Sequence, residues 1–157
     1  MPHGSLLLDR IQNEPDVKAS LLQVKHERLE EYNPDVYISL RARANKGEAE
    51  THDLRSRVLD FLNSDKKVFL ILGDSGAGKS TFNKALEIYL WQQYNKGDRK
   101  IPLFIHLPSI KDLERDLVVE RLRQANFTES QIWELKQNHE FILICDGYDE
   151  CQQTRNL

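Results

Sequence analysis

A glycine-rich segment of this chain has the composition and spacing of a phosphate-binding loop. The pattern GxxxxGK[ST] begins at Gly73 and ends at Ser80. Gly73, Gly76 and Gly78 allow backbone angles that a Cβ would forbid, so the loop can point its N–H groups at phosphate oxygens. The helix that follows adds free N–H groups and the positive end of its dipole. Lys79 can reach the β- and γ-phosphates, and the Ser80 hydroxyl can ligate Mg²⁺. The predicted nucleotide contacts are Gly73, Asp74, Ser75, Gly76, Ala77, Gly78, Lys79, Ser80 and Thr81.

The residues on either side of the loop have the patterns that such a site needs. Residues 67–72 are large or β-branched apolar residues apart from the first, which predicts a fully buried parallel strand. After the loop, apolar residues recur at helical spacing from Phe82 to Leu90. A strand, a glycine loop and a helix therefore follow one another in the required order.

A second group of residues suited to this chemistry follows another apolar run, residues 141–145. An acid at the carboxyl end of a buried parallel strand lies where ligands bind in open α/β sheets, so Asp146 is the predicted Mg²⁺ partner of Ser80. Gly147 leaves room beside it. Asp149 and Glu150 are, with Lys79, the candidate catalytic residues, since a carboxylate can orient or deprotonate the attacking water. The alternative is that these two acids lie in a solvated loop or favour a helix N-terminus.

Two other residues near these motifs have structural interpretations. His106 ends an apolar run and could touch a nucleotide, but a packed or surface histidine is the prediction. Cys145 is predicted to be a small buried apolar residue.

Composition limits the remaining function classes. The chain has 157 residues, 22 basic and 25 acidic, and a net charge of −3, so it lacks the basic excess of nucleic-acid binders. Its two cysteines do not form a disulfide framework, and no histidine pair has metal-ligand spacing with a cysteine. No apolar stretch is long enough for a signal peptide or a membrane span. We expect a cytoplasmic protein with neither nucleic-acid nor membrane partners.

Strands that alternate with helices predict an α/β fold with a parallel sheet. The predicted strands cover residues 68–72, 101–107 and 141–145. Helices are predicted to begin at Thr51 or Asp53, after Ser109-x-x-Asp112, and at the capping box Thr128-x-x-Gln131.

The first third of the chain carries weaker signals. Residues 6–11 predict a short helix, and residues 16–31 predict a second one, interpreted as a solvated helix that packs loosely or belongs to an upstream module. We place a domain boundary near residue 50, so that 1–50 is a helical flanking region or linker and 51–157 is the nucleotide-binding part.

Residues 54–157 resemble the NACHT domain, which belongs to the signal-transduction ATPases with numerous domains. Beyond the glycine loop, the resemblance rests on Asp146, Gly147, Asp149 and Glu150, which match a Mg²⁺ aspartate, a small residue and two acids. It implies a P-loop NTPase-type parallel sheet flanked by helices, with the glycine loop as its Walker A motif and the acidic segment as its Walker B motif. It also implies a switch that binds Mg²⁺ with ATP or GTP and oligomerises on exchange of diphosphate for triphosphate. The segment looks most like fungal NACHT–repeat proteins.

The chain also departs from the family pattern. The family places a further strand between 68–72 and 141–145, and regulatory parts and repeats come later, but only residues 147–157 follow Asp146. We therefore expect an incomplete sheet, truncated after the acidic motif, in which those two runs leave a gap or pair directly. Any homo-oligomer and the C-terminal repeats would belong to the full-length protein.

Three functions remain in competition. The one we expect is an NTPase switch that binds and hydrolyses a nucleoside triphosphate. A P-loop kinase of a small molecule is the second, although no arginine-rich lid follows the third strand. The third is a non-catalytic fragment that needs the rest of its protein. Phosphate release without an acceptor would favour the first function, and failure to bind nucleotide would favour the third.

Overall fold

The structure is a computed structural model that describes residues 16–31, 39–95 and 98–154. The predicted helix at residues 6–11 lies outside these ranges. Helix α1 spans Val17–Glu30 and begins at Asp16, whose carboxylate accepts a hydrogen bond from the N–H of Lys18. These bounds agree with the helix predicted at 16–31.

Helix α1 is not loosely packed, so that part of the prediction is wrong. Val17 and Leu21 are buried in one core with Trp91, a residue of the phosphate-loop helix. The Lys25 ammonium also donates to the backbone carbonyl of Tyr94 over 2.6 Å. The face that carries Val17 and Leu21 removes apolar area from water, and this gain outweighs the many charges at the end of the helix.

A short hairpin connects this first part to the next helix. Strand β1, Arg41–Ala42, pairs antiparallel with β2, His52–Asp53. Helix α2, Leu54–Leu62, begins at Asp53, which accepts from the N–H of Ser56; Asp53 is one of the two predicted caps. The boundary near residue 50 stays a prediction, and it would fall between the two strands of this hairpin.

The sheet lies after the phosphate-loop helix α3, Lys79–Gln93. Strands β3, Lys100–His106, and β4, Glu140–Asp146, are parallel, with a register that pairs Ile101 with Phe141 and His106 with Asp146. The crossover contains a 3₁₀ turn, Leu107–Ser109, helix α4, Leu117–Gln124, and helix α5, Glu129–Asn138. Helix α6, Tyr148–Thr154, follows β4. This arrangement confirms the α/β prediction of helices around a parallel sheet.

Of the two crossover helices, α5 begins at its predicted cap, whereas α4 begins at a cap that was not predicted. Thr128 and Gln131 form the predicted capping box of α5. The predicted start at Ser109 is wrong, since α4 begins after Asp116, whose carboxylate accepts from the N–H groups of Val118 and Val119. Ser109 instead donates to the His106 carbonyl and closes the 3₁₀ turn, because its hydroxyl competes for local backbone groups.

Residues 67–72 form no strand and pair with no strand among the described residues, so the prediction of a fully buried parallel strand is wrong. Phe69 packs against the ring of Phe61, and Ile71 joins the second core. The alternate residues Val68, Leu70 and Leu72 are 81%, 66% and 77% exposed. A run that is apolar on both faces needs cover on both, and the described chain covers only one.

Two apolar cores fix the phosphate-loop helix. The first lies between α1, α3, β3, α4 and α5 and contains Val17, Leu21, Trp91, Tyr94, Ile101, Leu103, Leu122, Phe127, Ile132 and Leu135. The second lies between α2, α3 and β4 and contains Leu54, Val58, Phe82, Leu86 and Ile144. Because α3 contributes to both, its N-terminal end is held firmly beside the sheet.

Candidate functional site

The glycine loop leads directly into α3. Gly76 and Gly78 have φ angles of +79° and +87°, which are costly for residues with a Cβ. Gly78 is the N-cap of α3 and supplies no side-chain cap, so the first N–H groups of the helix have no cap partner. Such a terminus favours an anion through both its N–H groups and its dipole.

Gly73 does not need the backbone freedom that the sequence suggested, because its φ is not positive. A Cβ added there would lie 3.3 Å from the Cβ of Ala77. The glycine is therefore favoured by the close approach of two parts of the loop, and the conformational prediction holds only for Gly76 and Gly78.

Lys79 folds back over the beginning of the loop. Its ammonium donates to the carbonyl of Gly73 over 2.5 Å and to that of Asp74 over 3.1 Å. Both acceptors are neutral, whereas hydrogen bonds to charged acceptors are stronger. A phosphate at the loop would therefore compete well for this ammonium. Ser75, Ser80 and Thr81 are exposed around it.

Asp146 lies at the end of β4, as predicted, and is only 7% exposed. The side-chain amide of Asn83 donates to its Oδ1 over 2.9 Å. Asn83 is three residues after Ser80 in α3, and residues at this spacing lie on the same side of a helix. The contact therefore brings Asp146 to the side of α3 that carries Ser80.

Asn83 is a site residue that the sequence interpretation missed. The apolar spacing of α3 predicts the helix but does not distinguish Asn83 from the other polar residues within it. An asparagine one turn after the hydroxyl of Ser80 was the signal that could have revealed it.

His106 lies directly beside Asp146, because the register of the two strands pairs these residues. Its Nδ1 is 4.0 Å from Asp146 Oδ2, which is too long for a direct hydrogen bond, and half of the side chain is exposed. The sequence indicated that His106 ends a strand, but it did not indicate that His106 lies beside Asp146.

The backbone conformation and the surroundings of residue 147 both require a glycine. Its φ is +77°, and an added Cβ would lie 2.7 Å from Cδ of Pro108. The residue therefore leaves room, as expected, but the room is needed by the 3₁₀ turn after β3. This close turn aims α6 across the ends of the two strands.

Asp149 and Glu150 lie in the first turn of α6 and are exposed. Neither makes a hydrogen bond or an ion pair with another residue in the described part of the chain. The next residue, Cys151, is buried with Ile105 and Leu107 and holds α6 against the strand ends. The two acids thus follow Asp146 at the same rim, and their catalytic role stays a prediction.

The described residues contain no group of three histidine, cysteine or acidic side chains that could hold a metal by themselves. Mg²⁺ does not require one, since it is bound in nucleotide sites by one or two protein oxygens together with waters and phosphates. The buried carboxylate of Asp146 gives one oxygen to Asn83 and keeps the other, and the exposed hydroxyl of Ser80 lies on the same side of α3. This donor set fits Mg²⁺.

Cys145 is exposed, which corrects the prediction of a buried residue. It shares a face of β4 with Leu143, which is 40% exposed. On β3 the same face carries Leu103 and Ile105, which are buried. The apolar run was correctly interpreted as a strand, but its cover depends on elements that the run itself does not specify.

A strand with a terminal acid, a parallel neighbour and a helix preceded by a glycine loop define an α/β domain of the P-loop NTPase class. A model of the family described as "NACHT domain" matches residues 67–157, more than half of the chain. The chain belongs to the NACHT domain family, and its matched part is a P-loop NTPase module. Comparisons with curated proteins and with solved structures found no match. None of the described helices has the length and apolar character that crossing a membrane requires.

Proposed function

We propose that this chain is the nucleotide-binding module of a cytoplasmic signalling switch, which binds a nucleoside triphosphate with Mg²⁺ and hydrolyses it. ATP is the preferred candidate, with GTP as the alternative. The observation that carries the proposal is the hydrogen bond between Asn83 and Asp146. Through it, one helix holds both the loop cation Lys79 and the strand-end carboxylate in a fixed relation.

Binding is assigned to the glycine loop and the start of α3. The N–H groups of residues 73–81 and the ammonium of Lys79 would hold the phosphates. Ser80 and Asp146 would hold Mg²⁺, which when bound neutralises charge that develops on the phosphate oxygens.

Hydrolysis is assigned to the acids at the rim. A carboxylate of Glu150 or Asp149 would orient the attacking water and accept its proton. Both side chains are exposed and lack partners within the described chain, so either is available for this role. As the family resemblance implies, exchange of diphosphate for triphosphate would drive oligomerisation.

The proposal is tested by titrating Mg-ATP and Mg-GTP into the chain and into an Asp146→Asn variant. We expect nucleotide to bind with an affinity that depends on Mg²⁺, and Asp146→Asn to remove most of that dependence while phosphate contacts remain. Asp112→Asn, an exposed acid in the crossover, is the matched control and should behave like the parent chain. An unchanged Mg²⁺ dependence in Asp146→Asn would overturn the metal assignment, and phosphate transfer only to an added acceptor would favour a kinase.

A further inference from the structure

A cavity of about 450 Å³ lies between α1, α3, β3 and α4. Three cations reach it from three different helices: Arg28 from α1, Lys84 from α3 and Arg121 from α4. Ile88 and Phe104 give it an apolar wall, and His106 lies on the side towards Asp146. We infer that this cavity is a second anion site, separate from the phosphate loop, which binds a small phosphorylated organic molecule.

Arg28 is already neutralised by acids. Its guanidinium contacts both carboxylate oxygens of the buried Glu87, with Nε 3.0 Å from Oε1, and it also pairs with Glu31. The hydrogen bond to Glu87 raises the pKa of Arg28, so the group stays charged. Arg28 therefore shapes the cavity and has little charge to offer a ligand.

The charge of Arg121, unlike that of Arg28, is not paired with an acid in the described part of the chain. Its Nε donates to the backbone carbonyl of Phe104 over 2.8 Å. Within the described residues, no carboxylate lies within ion-pair distance of its guanidinium. Burial lowers its pKa, which means that the surroundings penalise the charged form more than the nearby acids favour it. A half-buried guanidinium of this kind gains from an anion that the cavity admits.

Lys84 adds a second available cation. It makes no hydrogen bond or ion pair with any residue that the structure describes. The formal charges of Arg28, Glu87 and Glu31 sum to −1. Those of Lys84 and Arg121 sum to +2. The cavity and its wall thus carry a net charge of about +1, before His106 is counted, and the two unpaired cations fit a doubly charged group.

The cavity is distinct from the phosphate loop. Lys84 and Ile88 follow Lys79 by five and nine residues in α3, which turns them by about 140° and 180° around the helix axis. Lys79 instead contacts the carbonyls of Gly73 and Asp74 and does not line the cavity.

The chemistry of the wall selects the ligand class. The arginine fork binds phosphate oxygens in pairs, and lysine adds a point charge. The side chains of Ile88 and Phe104 offer apolar area for a ring or carbon chain. The volume falls in the range of small-molecule sites, which favours a whole small ligand over a single loose ion.

The site is tested with phenyl phosphate, whose ring and charged group match the wall and the two cations. The titration uses a Lys79→Ala variant of the chain, so that binding at the phosphate loop cannot account for the signal and the result does not depend on the proposed NTPase function. We expect phenyl phosphate to bind, and Arg121→Gln and Lys84→Gln each to weaken it about tenfold or more, as expected for a lost charged hydrogen bond. Arg123→Gln is the control, since this exposed arginine of α4 pairs with Glu120 and Glu129.

Three results would overturn the inference. Lys84→Gln alters an exposed side chain and leaves the cores intact, so unchanged affinity in this variant cannot be attributed to misfolding and would exclude the site. Equal affinity for benzoate, which has the same ring but a carboxylate, would exclude the phosphate assignment. Tighter binding of inorganic phosphate than of phenyl phosphate would assign the cavity to free phosphate and exclude an organic ligand.

Discussion

The side-chain amide of Asn83 donates a hydrogen bond to Oδ1 of Asp146 over 2.9 Å. This contact joins the helix that begins at the phosphate loop to the end of β4. It leaves the second carboxylate oxygen of Asp146 directed to the side where His106 lies 4.0 Å away. A shift of α3 would therefore move the proposed metal ligand together with the loop.

The first prediction concerns this contact. Asn83→Leu should keep the fold but lower the Mg²⁺-dependent affinity for nucleotide about tenfold or more, because partners that orient a metal ligand have effects of this size. Leaving a buried carboxylate oxygen unsatisfied should also cost about 1–3 kcal/mol of stability. The measurement is a nucleotide titration at several Mg²⁺ concentrations, with Gln92→Leu at an exposed position of the same helix as control. Identical Mg²⁺ curves for Asn83→Leu and the parent chain would exclude a positioning role.

The second prediction separates binding from hydrolysis at the acidic rim. Glu150→Gln should retain nucleotide binding and slow turnover by roughly 10²-fold or more, the scale of a lost general base. The measurement is phosphate release under saturating Mg-ATP, with binding titrated in parallel.

Asp149→Asn is the matched variant, since Asp149 lies in the same turn and is equally exposed. A hydrolysis defect in Asp149→Asn and none in Glu150→Gln would transfer the role to Asp149. If both variants hydrolyse nucleotide at the rate of the parent chain, the two acids only stabilise the first turn of α6 through the helix dipole.

The third prediction concerns the ion pair that ties α1 to α3. Glu87 is 1% exposed and is held by Arg28, so Arg28→Met should destabilise the fold by about 3–5 kcal/mol, since it leaves a buried charge without its partner. Chemical denaturation measures the loss. Restoration of most stability by the double change Arg28→Met with Glu87→Met would confirm that the stranded charge is the cause.

An exposed ion pair gives the control for that experiment. Arg123→Met breaks the pair with Glu129 on the surface and should leave the denaturation midpoint nearly unchanged. If Arg28→Met is equally harmless, α1 does not belong to the first core in solution.

The fourth prediction concerns the run before the phosphate loop. Val68, Leu70 and Leu72 expose apolar side chains from a segment without a strand partner in the described chain, which favours association between chains. Leu70→Lys should reduce aggregation, measured by light scattering, without lowering the melting temperature. Leu103→Lys, a buried position in β3, should instead unfold the chain. More aggregation in Leu70→Lys would show that this side chain is covered in solution.

Local signals in the sequence predicted much of the fold. The glycine loop, the capping box of Thr128 and Gln131, and helix α1 depend on neighbouring residues, and the structure has them in the predicted places. The parallel pair of β3 and β4 followed from alternating strands and helices. The family resemblance was confirmed by the match to residues 67–157.

Contacts between distant segments could not be predicted in this way. Nothing near residue 28 indicates that Arg28 meets Glu87, or that the apolar face of α1 meets Trp91. The contact between Asn83 and Asp146 spans 63 positions and depends on the register of α3 against β4. The exposure of Cys145 and Leu70 could not be predicted for the same reason, because an apolar run indicates a strand but not which elements cover it.

The most direct test of the proposed function is titration calorimetry of Mg-ATP and Mg-GTP into the chain and into Lys79→Ala. Lys79 is the one side-chain cation of the loop, so its loss leaves phosphate charge balanced by backbone dipoles and Mg²⁺ alone. We predict that the parent chain and the control Lys111→Ala bind nucleotide and that Lys79→Ala shows no measurable binding. Equal affinity of Lys79→Ala and the parent chain would contradict the assignment of the phosphate loop, and with it the proposed function.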